Sequence, residues 1–221
     1  MTLRESINRV RANIFKKIVN EKIVKRVMYS LMGIYIGLLI AGHIVATLAT
    51  GYTIWDNWIS DLGGGKYTPA PYLYDIACMA AGVLSIPFIF YIENFFTPNL
   101  KNTTRMRIRI AEAAFVFGLM GAISYIGVGI FSEDRNFFGL HGLTSELAFG
   151  GFTFNAFFTG WFIVFYKTKI PKLLGAYGII GPLAFLILFL IISNPLTEWL
   201  LLFSILIWLI PFSISVFHKT E

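Results

Sequence analysis

The segment LLGAYGIIGPLAFLILFLIIS, residues 173–193, contains no charged residue. As a helix it is long enough to cross a hydrocarbon core of roughly 30 Å, which takes about 20 residues. Across the 221-residue chain, 57% of residues are hydrophobic and 14% are charged, whereas a soluble domain carries about 25% charged residues. Similar runs recur at 27–50, 71–92, 110–131, 141–166 and 198–217. The sequence therefore predicts an all-α polytopic membrane protein, a bundle of six transmembrane helices.

The length and continuity of these runs favour helices over membrane strands. A barrel strand needs only about ten residues of alternating polarity, and these runs are longer, continuous and rich in Leu, Ile and Phe. Helices also satisfy their own backbone polar groups in lipid. We assign the transmembrane domain to residues 27–217 and a short cytoplasmic tail to 218–221.

The first 26 residues form a basic segment of a different kind. They hold eight Lys and Arg, and they lack the short apolar run and cleavage site of a signal peptide. The apolar residues recur at spacings of three and four: Leu3, Ile7, Val10, Ile14 and Ile18. This spacing predicts a basic amphipathic N-terminal helix on the inner membrane surface. The same helix could dock onto a partner, although surface anchoring is the simpler interpretation.

Lys and Arg are distributed very unevenly among the segments between the predicted helices. When the segments are assigned alternately to the two sides of the membrane, one side holds 16 of the 18 Lys and Arg residues and the other side holds 2. The side with 16 comprises residues 1–26, the connections 93–109 and 167–172, and the C-terminal tail. By the positive-inside rule, both termini are cytoplasmic in a multi-pass cell-membrane protein. The net charge of +6 then faces anionic lipid headgroups, and no nucleic-acid partner is predicted.

Polar side chains gather on the opposite, outer side. A rise of about 1.5 Å per residue places His43, Asp75 and Glu146 about 6–10 Å below the outer boundary, in one layer. Ionised groups are costly within a membrane, so these side chains are expected to face the bundle interior or a water-filled pocket. The candidate outer pocket comprises ten residues: His43, Asn57, Ser60, Asp61, Asp75, Glu133, Asp134, Arg135, His141 and Glu146.

Carboxylates and imidazoles in this set could hold a divalent metal ion. The candidate ligands are His43, Asp61, Asp75, Asp134 and His141. Each also has a structural interpretation: Asp61 could cap a turn, Asp134 could complement the dipole of the following helix, and His43 could be a packing histidine. The sequence contains no HExxH and no GxSxG motif, so no catalytic residue is assigned and enzymatic activity stays open.

Two outer-side segments resemble a known family. They are NWISDLGGGKYTPAPYLYD at 57–75 and IFSEDRNFFGLHGLTSELAFGGF at 130–152. The residues that carry the likeness are Asn57, Ser60, Asp61, Gly63, Pro69, Glu133, Asp134, His141 and Gly142. With them the chain resembles domain-of-unknown-function family 998, prokaryotic six-helix membrane proteins, over roughly residues 27–217. ISDLG also looks, more distantly, like a loop of eukaryotic DRAM-like proteins. The resemblance implies an integral membrane protein and supplies no activity.

Three functions fit these observations. The first is binding or processing of a lipid or lipid-linked substrate in the outer pocket. The second is a non-catalytic scaffold or accessory subunit that packs against another membrane protein or a second copy of the chain. Transport ranks third, because ionisable residues lie near the membrane boundaries rather than the midplane, although SNPL at 193–196 could mark a broken helix.

Overall fold

The computed structural model describes residues 19–97 and 104–218. Within these two ranges the chain is helical and contains no strand. The long helices are α1 (Glu21–Thr50), α2 (Tyr72–Phe96), α3 (Arg105–Ile130), α4 (Leu140–Phe165), α5 (Lys172–Ile192) and α6 (Pro195–His218). All six are long and apolar enough to cross a membrane. The predicted all-α fold with six membrane-length helices is therefore confirmed.

Most of the predicted amphipathic N-terminal segment lies outside the described residues, which begin at residue 19. The last part of that segment belongs to α1, which starts at Glu21, six residues before the predicted edge at 27. Asn20 caps this helix, because its side-chain oxygen accepts a hydrogen bond from the Ile23 N–H at 3.3 Å.

Consecutive helices pack against each other in the order of the sequence, and α6 also contacts α1 and α4. Buried side chains form two clusters at opposite ends of the bundle. Val24, Phe96 and Phe217 belong to the cluster at one end. Tyr52 and Trp199 belong to the cluster at the other end. The helices therefore alternate in direction, as six successive crossings require.

The outer surface of the bundle is strongly apolar. On α1 the buried positions recur at spacings of three and four: Val24, Met28, Leu31, Tyr35, Leu39, Gly42 and Ala46. The remaining faces of the bundle expose large apolar side chains, such as Leu48 with 82% of its surface exposed and Leu173 with 80%. A helix that buries one stripe of residues and is also apolar on its other faces is typical of a membrane span whose other faces contact lipid.

The SNPL motif is a tight connection between two helices. Ser193 ends α5 in a left-handed conformation, with φ of 46°, and α6 begins at Pro195. Asn194 caps α6, because its side-chain oxygen accepts a hydrogen bond from the Thr197 N–H at 2.9 Å. Proline suits the first position of a helix, because an N–H group at that position would form no hydrogen bond within the helix.

Glycines set how closely neighbouring helices approach. Gly151 of α4 lies directly against the backbone of Gly121 in α3, with no room for a Cβ atom. Gly160 of α4 meets the backbone of Gly175 in α5 in the same way. At Gly150 and Gly142, closer to the start of α4, an added Cβ atom would meet nothing within 4 Å. The interface between α4 and α5 is therefore closed in one half, with open space beside α4 in the other.

Candidate functional site

The polar residues predicted to form a pocket lie at one end of the bundle. We call this end the acidic face: it is formed by the connections 51–71, 131–139 and 193–194 and the helix ends beside them. The opposite end, which includes the connection 166–171, is the basic face. Within the acidic face the polar side chains form two groups, with different bonding.

The first group joins the two longer connections, and we call it the loop clasp: Asp75, Arg135, Asp134 and Gly65. The guanidinium of Arg135 donates to a carboxylate oxygen of Asp75 at 2.6 Å, and Asp75 is buried while Arg135 is half exposed. Arg135 also donates to the carbonyl oxygens of Gly129 and Ile130 at the end of α3, at 3.0 and 3.1 Å. Arg135 thus neutralises a buried carboxylate and satisfies helix-end carbonyls that would otherwise lack donors.

The other half of the loop clasp is a backbone contact. The Gly65 N–H donates to a carboxylate oxygen of Asp134 at 2.7 Å. At the neighbouring Gly64, an added Cβ atom would lie 3.3 Å from Glu133 Cγ. The glycine run after ISDL therefore lets the first connection lie close against the second.

Asp61 stabilises its own 3-10 turn, Ile59–Gly63. Its carboxylate accepts hydrogen bonds from the Trp58 N–H at 2.9 Å and from the Asn57 side-chain amide at 3.4 Å. The side chain is buried, and this burial raises the pKa of Asp61, while the hydrogen bonds from Asn57 and Trp58 partly oppose the rise. These contacts match the turn-capping interpretation of Asp61.

The start of α6 holds the same turn in place. A carboxylate oxygen of Glu198 accepts the Ile59 N–H at 2.7 Å, and the indole N–H of Trp199 donates to the Asn57 carbonyl at 3.2 Å. Glu198 is buried. It was not among the predicted pocket residues, although a lone carboxylate in the first turn of an apolar span was a signal that could have placed it there.

His141 has one satisfied and one unsatisfied ring nitrogen. Its Nδ1 lies 2.8 Å from the carbonyl oxygen of Phe131, so Nδ1 carries the proton and donates. Its Nε2 is buried and has no hydrogen-bond partner among the described residues, and the nearest carboxylate oxygen, from Glu133, is 3.7 Å away. In the neutral ring, Nε2 is therefore an unused acceptor.

His43 lies apart from the loop clasp. Its ring packs edge-to-face on Tyr52 at 5.4 Å and on Trp199 at 6.0 Å between ring centroids. Its Nδ1 is buried without a hydrogen-bond partner in the described part of the chain. This arrangement is that of a packing histidine.

The second polar group lines a cavity of about 530 Å³ between α4, α5, the start of α6 and the first connection. One part of its wall is polar: Ser60, His141, Ser145, Glu146, Ser193 and Glu198. The other part is apolar or glycine: Gly142, Phe149, Gly150, Leu186, Phe189 and Leu190. We call this space the α4–α5 cavity. Two further cavities within the bundle, of about 40 and 60 Å³, are much smaller and largely apolar.

The predicted pocket residues therefore divide. Ser60, His141 and Glu146 line the α4–α5 cavity. Asp75, Asp134 and Arg135 form the loop clasp, with Glu133 packed beside it. Asn57 and Asp61 stabilise the turn, and His43 packs against aromatic rings. The structure adds Ser145, Ser193 and Glu198 to the lining.

The five candidate metal ligands are bonded in separate arrangements. In the described ranges, no three His, Cys, Asp or Glu side chains lie close enough together to hold one metal ion. A metal at His43, Asp61, Asp75, Asp134 and His141 remains a prediction from residue type. The geometry offers hydrogen-bond acceptors, from carboxylates and one imidazole nitrogen, and serine hydroxyls that both donate and accept, around a space that is apolar on its other side.

Six apolar helices of membrane length, with their polar residues gathered at one end, define a multi-pass membrane protein. The chain belongs to the family described as "Protein of unknown function (DUF998)", whose profile matches residues 34–215. The family resemblance predicted from the two loop motifs is thereby confirmed, while the likeness to DRAM-like proteins stays a prediction. A comparison with curated proteins and with solved structures found no significant match.

Proposed function

We propose that this protein binds a lipid or a lipid-linked molecule in the α4–α5 cavity. The observation that carries the proposal is the division of the cavity wall into a polar part at the acidic face and an apolar part between the helices. An amphiphile has the same division, with a polar headgroup and apolar chains. The volume of about 530 Å³ lies in the range of pockets that bind small molecules, about 300–1,000 Å³.

The orientation that accompanies this proposal places the acidic face at the outer leaflet of the cell membrane and both termini in the cytoplasm. It is supported by the distribution of Lys and Arg, of which 16 of 18 lie on the side of the termini. On the acidic face the two cations are Lys66 and Arg135. The lipid bound in the cavity would then come from the outer leaflet.

The proposal covers binding, and processing of the lipid remains open. The scaffold and transporter interpretations stay predictions from the sequence. The polar residue Asn155 lies deep in α4. Its side-chain amide donates a hydrogen bond to the Ala114 carbonyl of α3 at 2.7 Å, so this residue links two helices.

The test is native mass spectrometry of the gently extracted protein beside Gly150→Leu. Gly150 lines the cavity, and a Cβ atom at this position meets nothing within 4 Å, so leucine should fill the space without disturbing the helices. We expect stoichiometric lipid on the wild type and its loss from the variant. Gly37→Leu is the matched control, because Gly37 is exposed on α1 and also has open space around it.

Lipid retained equally by wild type, Gly150→Leu and Gly37→Leu would show that the bound lipid lies elsewhere on the surface and would contradict the proposal. A co-purifying protein that is present with the wild type and with both variants, in place of lipid, would favour the scaffold interpretation.

A further inference from the structure

The charges of the α4–α5 cavity are of one sign. Its lining includes two carboxylates, Glu146 on α4 and Glu198 on α6, and no Lys or Arg among the residues described. Glu146 is exposed and forms no hydrogen bond or ion pair with the described residues, whereas Glu198 is buried. The acidic-face cations are engaged elsewhere: Arg135 with Asp75, and Lys66 over the ring of Tyr67 at 4.9 Å.

The buried nitrogen of His141 adds an independent observation. His141 is 5% exposed and lines the cavity, and its Nε2 has no hydrogen-bond partner in the parts of the chain that the structure describes. Because Nδ1 donates to the Phe131 carbonyl, Nε2 of the neutral ring accepts. A buried acceptor without a donor costs free energy. The Nε2 atom itself has almost no accessible surface, and a carboxylate oxygen of Glu133 lies 3.7 Å from it, so a ligand N–H group reaches Nε2 only if the imidazole turns towards the cavity.

We propose that the headgroup bound in the α4–α5 cavity carries a primary ammonium, an inference that rests on the proposed lipid binding. The two carboxylates attract its positive charge and accept hydrogen bonds from its N–H groups, and the His141 nitrogen becomes a further acceptor when the imidazole turns towards the cavity. The proposed cation is molecular; among the described residues, no three His, Cys, Asp or Glu side chains lie close enough together to hold one metal ion. If the headgroup also has a phosphate, hydroxyls of Ser60, Ser145 and Ser193 are present in the lining as donors.

The test is binding of three defined lipids to the delipidated, detergent-solubilised full chain. The lipids share their acyl chains and differ in headgroup: phosphatidylethanolamine has a primary ammonium, phosphatidylcholine has a quaternary ammonium without N–H, and phosphatidylglycerol is anionic. We expect phosphatidylethanolamine to bind about tenfold tighter than phosphatidylglycerol, which corresponds to about 1.4 kcal/mol. We expect it also to bind tighter than phosphatidylcholine, which offers the charge but no N–H group.

Two variants and one control locate the selectivity. Glu146→Gln removes an exposed charge, and Glu198→Gln keeps a side-chain oxygen for the Ile59 N–H, so both should fold. Each should reduce the preference for phosphatidylethanolamine at least about threefold, by loss of a charge-assisted interaction. Glu112→Gln changes an exposed carboxylate on α3, outside the cavity, and should leave the preference intact.

The outcomes separate the two proposals. If phosphatidylglycerol binds as tightly as phosphatidylethanolamine and Gly150→Leu abolishes both, lipid binding stands and the ammonium assignment is wrong. A preference that survives both glutamate variants would also overturn the assignment. If Gly150→Leu changes no binding constant, the cavity is not the lipid site and both proposals fail. Soluble glycerophosphoethanolamine that binds as tightly as the lipid would assign the cavity to a free amine and overturn the lipid-headgroup inference.

Discussion

The acidic face contains two polar regions that differ in how their groups are satisfied. In the loop clasp, one carboxylate oxygen of Asp75 accepts from Arg135 at 2.6 Å, and Asp134 accepts from the Gly65 N–H at 2.7 Å. Only the other oxygen of Asp75 is buried there without a hydrogen-bond partner among the described residues. In the α4–α5 cavity, Glu146 has no such partner among the described residues, and His141 Nε2 has no hydrogen bond, with the Glu133 carboxylate 3.7 Å away. Buried polar groups with partners hold a fold together, and groups without partners around a cavity are available to a ligand. Substitutions in the loop clasp should therefore change stability, and substitutions in the α4–α5 cavity should change ligand binding.

The largest expected effect comes from two neighbouring glycines in α4. Gly151 lies against the α3 backbone, so Gly151→Leu should lower the free energy of unfolding by about 3 kcal/mol, the upper part of the range for overpacking. Gly150 faces the cavity, so Gly150→Leu should leave stability nearly unchanged. Thermal unfolding in detergent measures both. Equal destabilisation by the two variants would mean that the cavity side of α4 is packed.

Breaking the loop clasp should have the next largest effect. Arg135→Ala leaves the buried Asp75 carboxylate without its cation and removes donors from two carbonyl oxygens. We expect a loss of about 2 kcal/mol of unfolding free energy, within the range for hydrogen bonds to charged groups. Lipid binding per folded molecule should not change.

The control for the loop clasp is Lys66→Ala, which removes the other cation of the acidic face. Lys66 is exposed, so its replacement should leave the melting temperature nearly unchanged. A destabilisation as large as that of Arg135→Ala would show that general charge balance, rather than the ion pair, stabilises this face.

Ser193 allows stability and binding to be changed in opposite directions. Its φ of 46° is costly for a residue with a side chain, so Ser193→Gly should stabilise the fold by about 0.5–1 kcal/mol. The same change removes a hydroxyl from the cavity lining, so lipid affinity should fall. The two quantities are measured by thermal unfolding and by lipid titration. Unchanged affinity would remove Ser193 from the binding site.

The smallest effect concerns Asp61 and pH. Burial raises the pKa of Asp61 in the folded protein, so folding favours its protonated form. Its ionisation therefore lowers stability, and stability should increase as the pH falls through the raised pKa towards the ordinary value of about 3.9. Asp61→Asn cannot titrate and should show a smaller increase over that interval. Identical pH profiles of melting temperature for both proteins would contradict this.

The fold was predictable from the sequence because each span is a long apolar run. The thickness of the hydrocarbon core of the membrane sets the length of such a run. The structure has a helix for every predicted run, and the edges differ by a few residues where polar or basic residues continue the helix, as at Glu21 and Arg105. The gathering of polar residues at one end was also predictable, since it follows from the alternating direction of the helices.

The division of that polar end was not predictable. The partner of Asp75 is Arg135, 60 residues away, and depth along a helix does not give the direction in which a side chain points. His43 and Glu146 were expected in one layer, yet His43 packs on aromatic rings while Glu146 lines the cavity. The cavity itself depends on the space beside Gly150, whereas the adjacent Gly151 is tightly packed, and the two are indistinguishable in sequence.

The most direct test of the α4–α5 cavity is a cross-linking map with a lipid that carries a photoactivatable group on its acyl chain. Bound in the cavity, the chain would lie beside Phe149 on α4 and Leu186 and Leu190 on α5. We predict that labelled peptides concentrate on these parts of α4 and α5 and that Gly150→Leu removes this labelling. Labelling spread evenly over exposed apolar residues such as Leu48 and Ile123, unchanged in Gly150→Leu, would contradict the account.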